Sequence, residues 1–266
     1  MIEKKVEFSL HSERHPEFLL FGVPFDSTAS FNPGARFGPT SVRLASQYLE
    51  SFDLSSKVEL SEVRLKDLGD LHISFGNPKK TTENVERFVS MLEGKVIVIG
   101  GEHSISHPIT KALNPEVVLS LDAHLDLREE YLEEKLSHAC VMRRISEHNE
   151  VRIYGFRECS KEEFDFLKKG KIYATSELSN SELPKNKKVY ITIDMDVFDP
   201  SIAPNVSNPT PSGFNFQEVL NFVFEVAKKN EILGFDVTEV CSKNPDLTAI
   251  TAASLIFKIL GVLCED

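Results

Sequence analysis

Six short apolar runs, rich in Val, Ile, Leu and Phe, recur along the 266-residue chain: FLLFGVP (18–24), KVIVIG (95–100), EVVLSLD (116–122), VRIYGF (151–156), KVYITID (188–194) and EILGFDV (231–237). Most are apolar at successive positions, so both faces of such a strand must be covered. Helices on both sides of a parallel sheet meet that requirement, and segments of helical spacing do separate the runs. TTENVERFVSMLEG offers Thr82 as a cap, Val85, Phe88, Val89 and Leu92 on one face, and Gly94 as a stop. SKEEFDFLKKG pairs Ser160 with Glu163 in a capping box and ends at Gly170. NFQEVLNFVFEVAKKN repeats the device with Asn215 and Glu218, and TAITAASLIFKILGVL reads as a largely buried helix. Strands alternating with helices imply right-handed crossovers and an open α/β sheet. No repeat, low-complexity tract or linker divides it, so residues 1–266 read as a single domain.

Such a sheet binds ligands beyond the carboxyl ends of its strands, so the residues that follow each run are informative. GEHS with His103 follows the run at 95–100; Asp122, His124 and Asp126 follow VVLSL; Asp194 and Asp196 follow KVYITI; Glu239 follows ILGFDVT. With Asp236, two histidines and six carboxylates gather at one edge. In extended backbone, residues i, i+2 and i+4 share a face, so Asp122, His124 and Asp126 project together, as do Asp194 and Asp196. Carboxylates a few ångströms apart resist ionising together, which calls for a positive species among them. Four aspartates with His103 and His124 suit two divalent ions sharing carboxylate bridges. The oxygen and nitrogen donor set favours manganese, with cobalt, zinc, nickel and iron as alternatives.

Each element has an ordinary reading when taken alone. A DxD after a strand is a turn or a helix cap, GGEHS is a tight turn whose glycines serve backbone conformation, and His124 is a hydrogen-bonded core histidine. At the ends of separate strands, the metal reading is the stronger. His11, His15, His72, His107 and His148 lack this context and read as structural or surface residues.

Composition narrows the functional classes. With 41% hydrophobic and 27% charged residues the chain reads as a globular protein. The first 18 residues hold no secretory apolar run and no stretch is long enough to span a bilayer, so a cytoplasmic protein with no membrane partner is expected. A net charge of −11 disfavours nucleic acid and is compatible with a small cationic ligand. Cys140, Cys159, Cys241 and Cys264 form no CxxC pair, so neither a disulfide framework nor a thiolate zinc site is expected, and most read as small core residues.

GGEHS, SLDAHLDLR and ITIDMDVFDPSIAP resemble, in order, the three metal-binding signatures of the ureohydrolase (arginase and agmatinase) family. GVPFDSTASFNPGARFGPTSVRLAS, SHACVMRRI and TEV extend the resemblance over nearly the whole chain. It implies a three-layer αβα sandwich with a mainly parallel central sheet, two Mn2+ per chain, hydrolysis of a guanidino group to urea and an amine, and homotrimers or homohexamers. Carried over, His103, Asp122, Asp126 and Asp194 hold one manganese, and His124, Asp122, Asp194 and Asp196 the other, with Asp122 and Asp194 as bridges. Glu239 matches the carboxylate that grips the guanidinium, and His138 the histidine that shuttles a proton. On this basis Asp126 accepts the proton of a metal-activated water, and His138, titrating near neutrality, delivers one to the departing amine. NVSNPTPSG and CSKNPD depart from the family pattern near the metal rim and bear on substrate identity. FNPGARFGP and SHACVMRRI look more like agmatinases than arginases, which favours agmatine, giving putrescine and urea. Arginine, aminopropylagmatine, guanidinobutyrate and formiminoglutamate stay open as substrates. From a different class, a polyamine- or metal-binding protein without turnover would have no use for His138.

Overall fold

The computed structural model describes residues 2–3, 6–12, 15–54, 56–170 and 172–264. Its strands are β1 (Ile2–Glu3), β2 (Phe18–Val23), β3 (Phe52–Asp53), β4 (Val58–Glu59), β5 (Leu65–Leu71), β6 (Lys95–Gly100), β7 (Val117–Leu121), β8 (Glu150–Tyr154), β9 (Tyr173–Thr175), β10 (Lys188–Asp194) and β11 (Glu231–Thr238). Nine form one sheet in the order β1-β5-β2-β6-β11-β10-β7-β8-β9, while β3 and β4 pair separately. Every neighbouring pair in the large sheet is parallel except β1 with β5.

The helices are α1 (Gly38–Ser46), α2 (Pro78–Val89), α3 (Ser106–Leu113), α4 (Val141–Ile145), α5 (Lys161–Leu167), α6 (Phe216–Ala227) and α7 (Leu247–Leu263). Side chains alternate across the sheet, as period two requires. Leu20, Ile97, Leu119, Ile191 and Phe235 face a core closed by Val42 of α1, Val219 of α6 and Leu255 of α7. Phe21, Val96 and Val98 face the opposite way, onto Val85 of α2 and Ile109 of α3, and Val118 and Ile153 meet Met142 of α4. The result is the three-layer αβα sandwich with a mainly parallel sheet that the family resemblance implied.

Both capping boxes form: Ser160 with Glu163 starts α5, and Asn215 with Glu218 starts α6. The cap assigned to Thr82 is corrected. The helix begins at Pro78, because Asn77 accepts the Lys80 backbone N–H and proline is preorganised for the first helical turn. It also ends at Val89, ahead of Gly94.

Strand β5 escaped the sequence reading because LKDLGDL looks polar. Its aspartates are nevertheless buried, and Arg43 of α1 satisfies them. The guanidinium is bidentate to Asp67 at 2.7 and 2.9 Å and reaches Asp70 at 2.5 Å. The cysteine expectation is corrected too: only Cys140 is buried, Cys241 and Cys264 are half-buried and Cys159 is exposed. Among the described residues, no helix is long and apolar enough to cross a membrane.

Candidate active site

β6, β11, β10 and β7 are consecutive neighbours in the sheet, and their carboxyl ends carry the residues singled out in sequence. β6 runs into Gly100 and Gly101. Neither has positive φ; both are needed for close approach. A Cβ on Gly101 would stand 1.9 Å from the Phe25 carbonyl oxygen, and one on Gly100 would stand 2.6 Å from Thr238 Cγ2. The reading of these glycines as conformational is therefore corrected. The tight crossing places His103 at the start of a 3-10 turn (His103–Ile105), where its backbone N–H donates to Glu239 Oε1 at 2.7 Å.

His103 is fully buried. Its Nδ1 lies 3.1 Å from Asp122 Oδ2, 3.3 Å from Asp126 Oδ2 and 3.4 Å from Asp194 Oδ2. His124 Nδ1 lies 3.0 Å from Asp196 Oδ2 and 3.5 Å from Asp122 Oδ1. Two groups thus have donor atoms close enough to share a cation: His103 with Asp122 and Asp126, and His124 with Asp122 and Asp196. Asp122 belongs to both.

Whether a metal suits this arrangement can be judged from the protons. Thr192 Oγ1 donates to Asp236 Oδ1 at 2.5 Å and meets His103 Nε2 at 2.9 Å. With its one proton committed to Asp236, Thr192 offers a lone pair, so in the neutral imidazole Nε2 carries the proton and Nδ1 is left bare. His103 Nδ1 and Asp122 Oδ2 are both buried and neither makes a hydrogen bond, although they nearly touch. Two orphaned lone-pair atoms pointing at one space are what a cation would satisfy. The residues fit a metal of oxygen and nitrogen preference. Asp236 sits beneath the edge rather than on it, held by Ser106, Tyr190 and Thr192.

The electrostatics express the same crowding. Burial opposes charge on His103, but Asp122, Asp126 and Asp194 overcome it and hold the imidazole well above its ordinary value, so these carboxylates draw a proton to Nδ1 when no cation holds it. Burial and the Asp122 charge push Asp126 up to about 7, and burial with Asp196 and Asp122 drives Asp194 well up. Asp126 (φ 50°) and Glu239 (φ 64°) also adopt left-handed backbone, a strain that persists only where the surroundings impose it.

Above this group lies a cleft of about 260 Å3 whose walls include Ser30, His124, Asp126, Arg128, His138 and Glu158. His138 opens a 3-10 turn (His138–Cys140) and stacks edge-on to Tyr131. The expectation that it titrates near neutrality is corrected. Burial, reinforced by charge on His103 and His124, pulls it down to about 4. Glu239 lies deeper and is 3% exposed. Its Oε2 accepts a short hydrogen bond from Ser207, and burial pushes its carboxyl up to about 8.

Sequence reasoning missed Thr28, Glu102, Thr192 and Arg157, all of which act on the candidate residues from behind. Arg157 donates to the carbonyls of Asp196 (2.6 Å) and Thr210 (2.9 Å), which pins the loop after β10. Only its position after a strand end offered a signal. The other histidines stay out of the site. His11 Nδ1 accepts from Asp67 N, His107 is half-buried in α3, and His15, His72 and His148 are exposed.

Comparison with known proteins gives concordant matches. A model of the arginase family matches residues 16–261. The N(1)-aminopropylagmatine ureohydrolase of Thermococcus kodakarensis is 38% identical, over 98% of this chain and 96% of its own. The agmatinase of Pyrococcus horikoshii is 36% identical over 92% of each chain. The crystal structure of agmatine ureohydrolase of Thermoplasma volcanium superposes with a TM-score of 0.86 at 29% identity, covering 98% of this chain and 95% of that one.

Proposed function

Since the chain belongs to the arginase family and is a hydrolase of guanidino C–N bonds, we propose that it converts agmatine, or agmatine with an aminopropyl extension, to urea and the corresponding amine. The observation that carries this reading is the pair of His-carboxylate groups sharing Asp122 at the floor of a cleft walled by His138. His103, Asp122, Asp126 and Asp194 would hold one ion, and His124, Asp122, Asp194 and Asp196 the other, with manganese preferred for the donor set. When bound, the ions would supply hydroxide at neutral pH and offset developing negative charge.

The remaining work falls to the chain's own groups. Each oxygen of Glu239 keeps a second lone pair beyond its bond to His103 N or Ser207, and a planar guanidinium offers paired N–H donors to match. That pairing would orient the electrophilic carbon. Asp126 takes up the proton released as the attacking oxygen bonds to that carbon. His138 relays a proton from solvent in the cleft to the amine nitrogen as the C–N bond breaks.

The cleft also bears on substrate. Glu158 stands at its mouth, 61% exposed. The one arginine of the wall, Arg128, is turned to Glu163 at 3.8 Å and to the Tyr131 ring at 5.0 Å. An exposed carboxylate, 4.0 Å from His124 Nε2, and a committed guanidinium suit a substrate ending in an ammonium better than one ending in an α-carboxylate. The names of the two relatives agree with that preference. We extend the proposal to one catalytic domain over residues 1–266, in a cytoplasmic homotrimer or homohexamer.

The deciding experiment incubates manganese-loaded protein with agmatine, aminopropylagmatine, arginine, guanidinobutyrate and formiminoglutamate, and measures urea or formamide. Urea is expected from agmatine or its aminopropyl derivative in preference to arginine. Turnover of arginine alone would reverse the substrate assignment, and no turnover of any of the five would end the hydrolase reading.

A further inference from the structure

A buried hydrogen-bond chain, separate from the metal-ligand candidates, ends on His138. Glu102 is fully buried. Its Oε2 accepts the Thr28 backbone N–H at 2.7 Å, and its Oε1 accepts the hydroxyls of Thr28 at 2.5 Å and Ser104 at 2.6 Å. Thr28 Oγ1 in turn accepts the His138 backbone N–H at 3.1 Å and lies 3.2 Å from His138 Nδ1. A hydroxyl has one proton and two lone pairs. With Glu102 ionised, the proton of Thr28 goes to it and one lone pair to the His138 backbone, so only a lone pair remains to face Nδ1. Nδ1 must then carry the imidazole proton. Nε2, 3.2 Å from the Ser30 hydroxyl at the cleft wall, keeps its lone pair. Ser137 Oγ, 3.3 Å from Nδ1, can accept from it as well.

We propose that Glu102, acting through the hydroxyl of Thr28, is a positioning residue that fixes His138 in the Nδ1–H tautomer and presents the Nε2 lone pair to the cleft. This rests on the reading of His138 as proton carrier. Nε2 accepts a proton from solvent in the cleft and passes it to the departing amine nitrogen as the C–N bond breaks, while the Nδ1–H stays directed at an oxygen polarised by Glu102. A buried chain of this kind is effective because low dielectric strengthens each bond in it.

Glu102→Gln separates this role from a merely structural one. The amide oxygen must face the Thr28 backbone N–H, which places the NH2 against the two hydroxyls, and both of these can accept. Thr28 is then free to donate to Nδ1, and the tautomer reverses with little change in shape.

The test uses full-length protein, 15N-labelled at histidine and loaded with diamagnetic Zn2+, at pH 8.5, with His138 assigned by its loss in His138→Asn. Wild type and Thr28→Ser are expected to show a protonated Nδ1 and a bare Nε2, and Glu102→Gln the reverse. In the manganese-loaded enzyme, Glu102→Gln should lower kcat roughly ten- to a hundredfold, with KM nearly unchanged and Thr28→Ser close to wild type. A wild-type proton on Nε2, or an unchanged tautomer in Glu102→Gln, would overturn the proposal. If Glu102→Gln does not fold, the wild-type and Thr28→Ser spectra still decide it. A fully active His138→Asn would remove the proton-carrier role while the tautomer result stood, so the two failures are distinguishable.

Discussion

Asp122 extends one oxygen toward each histidine of the centre, Oδ2 to His103 and Oδ1 to His124. Period-two spacing made this triplet legible in the sequence, because side-chain direction along extended backbone is a local property. Asp122→Asn keeps the shape and removes the shared charge. Metal analysis should show binding falling below the two manganese ions per chain proposed for wild type, and retention of both would refute the bridging role. Glu158→Gln should raise KM for agmatine roughly fivefold with kcat little changed, the effect of about 1 kcal/mol expected for an exposed charge contact; an unchanged KM would remove Glu158 from substrate recognition. His107 sets a different property. Burial, aided by Lys111 and His148, lowers its pKa from 6.5 to about 4. The unfolded chain therefore binds its proton first, so the contribution of His107 to stability is complete above pH 6.5 and is lost as pH falls toward 4. The loss amounts to about 3 kcal/mol once complete. Denaturant titrations of His107→Gln at pH 7 and pH 4.5 should show a smaller difference than wild type.

At the scale of elements, the helix starts that carry a capping box were the most readable part. Ser160 with Glu163 and Asn215 with Glu218 state their own starts, because a capping box is closed within four residues. Strand β5 was not readable, because its stability comes from α1. Arg43 is buried with Asp67 and Asp70, and a polar strand becomes tolerable only once that guanidinium is in place. Removing it in Arg43→Met leaves two uncompensated buried carboxylates and should cost about 3–5 kcal/mol. Calorimetry should find Tm lower by roughly 10 °C. A change of under 2 °C would show that α1 and β5 hold together without the ion pair.

Across the whole molecule, the order of strands decides the chemistry. β6 and β7 are separated in the sheet by β11 and β10, which enter from the last third of the chain. That insertion brings His103, Glu239, Asp194 with Asp196, and Asp122 with His124 to successive positions along one edge. The same assembly buries Glu102 and Glu239 and lowers the pKa of His138, changes that depend on surroundings and not on residue type.

The sequence by itself determined what is short-range: six of the buried strands, the capping boxes, the period-two carboxylates and the motifs that placed the chain in its family. Only the tertiary structure decided the adjacency of four strand ends, the ion pair that admits β5, the bare Nδ1 of His103 and the hydrogen-bond chain behind His138. The physical reason is that each of these is a contact between residues far apart in the chain, such as Thr28 with His138 or Arg43 with Asp67. Spacing along the backbone carries no record of which distant group will supply the missing proton, lone pair or charge.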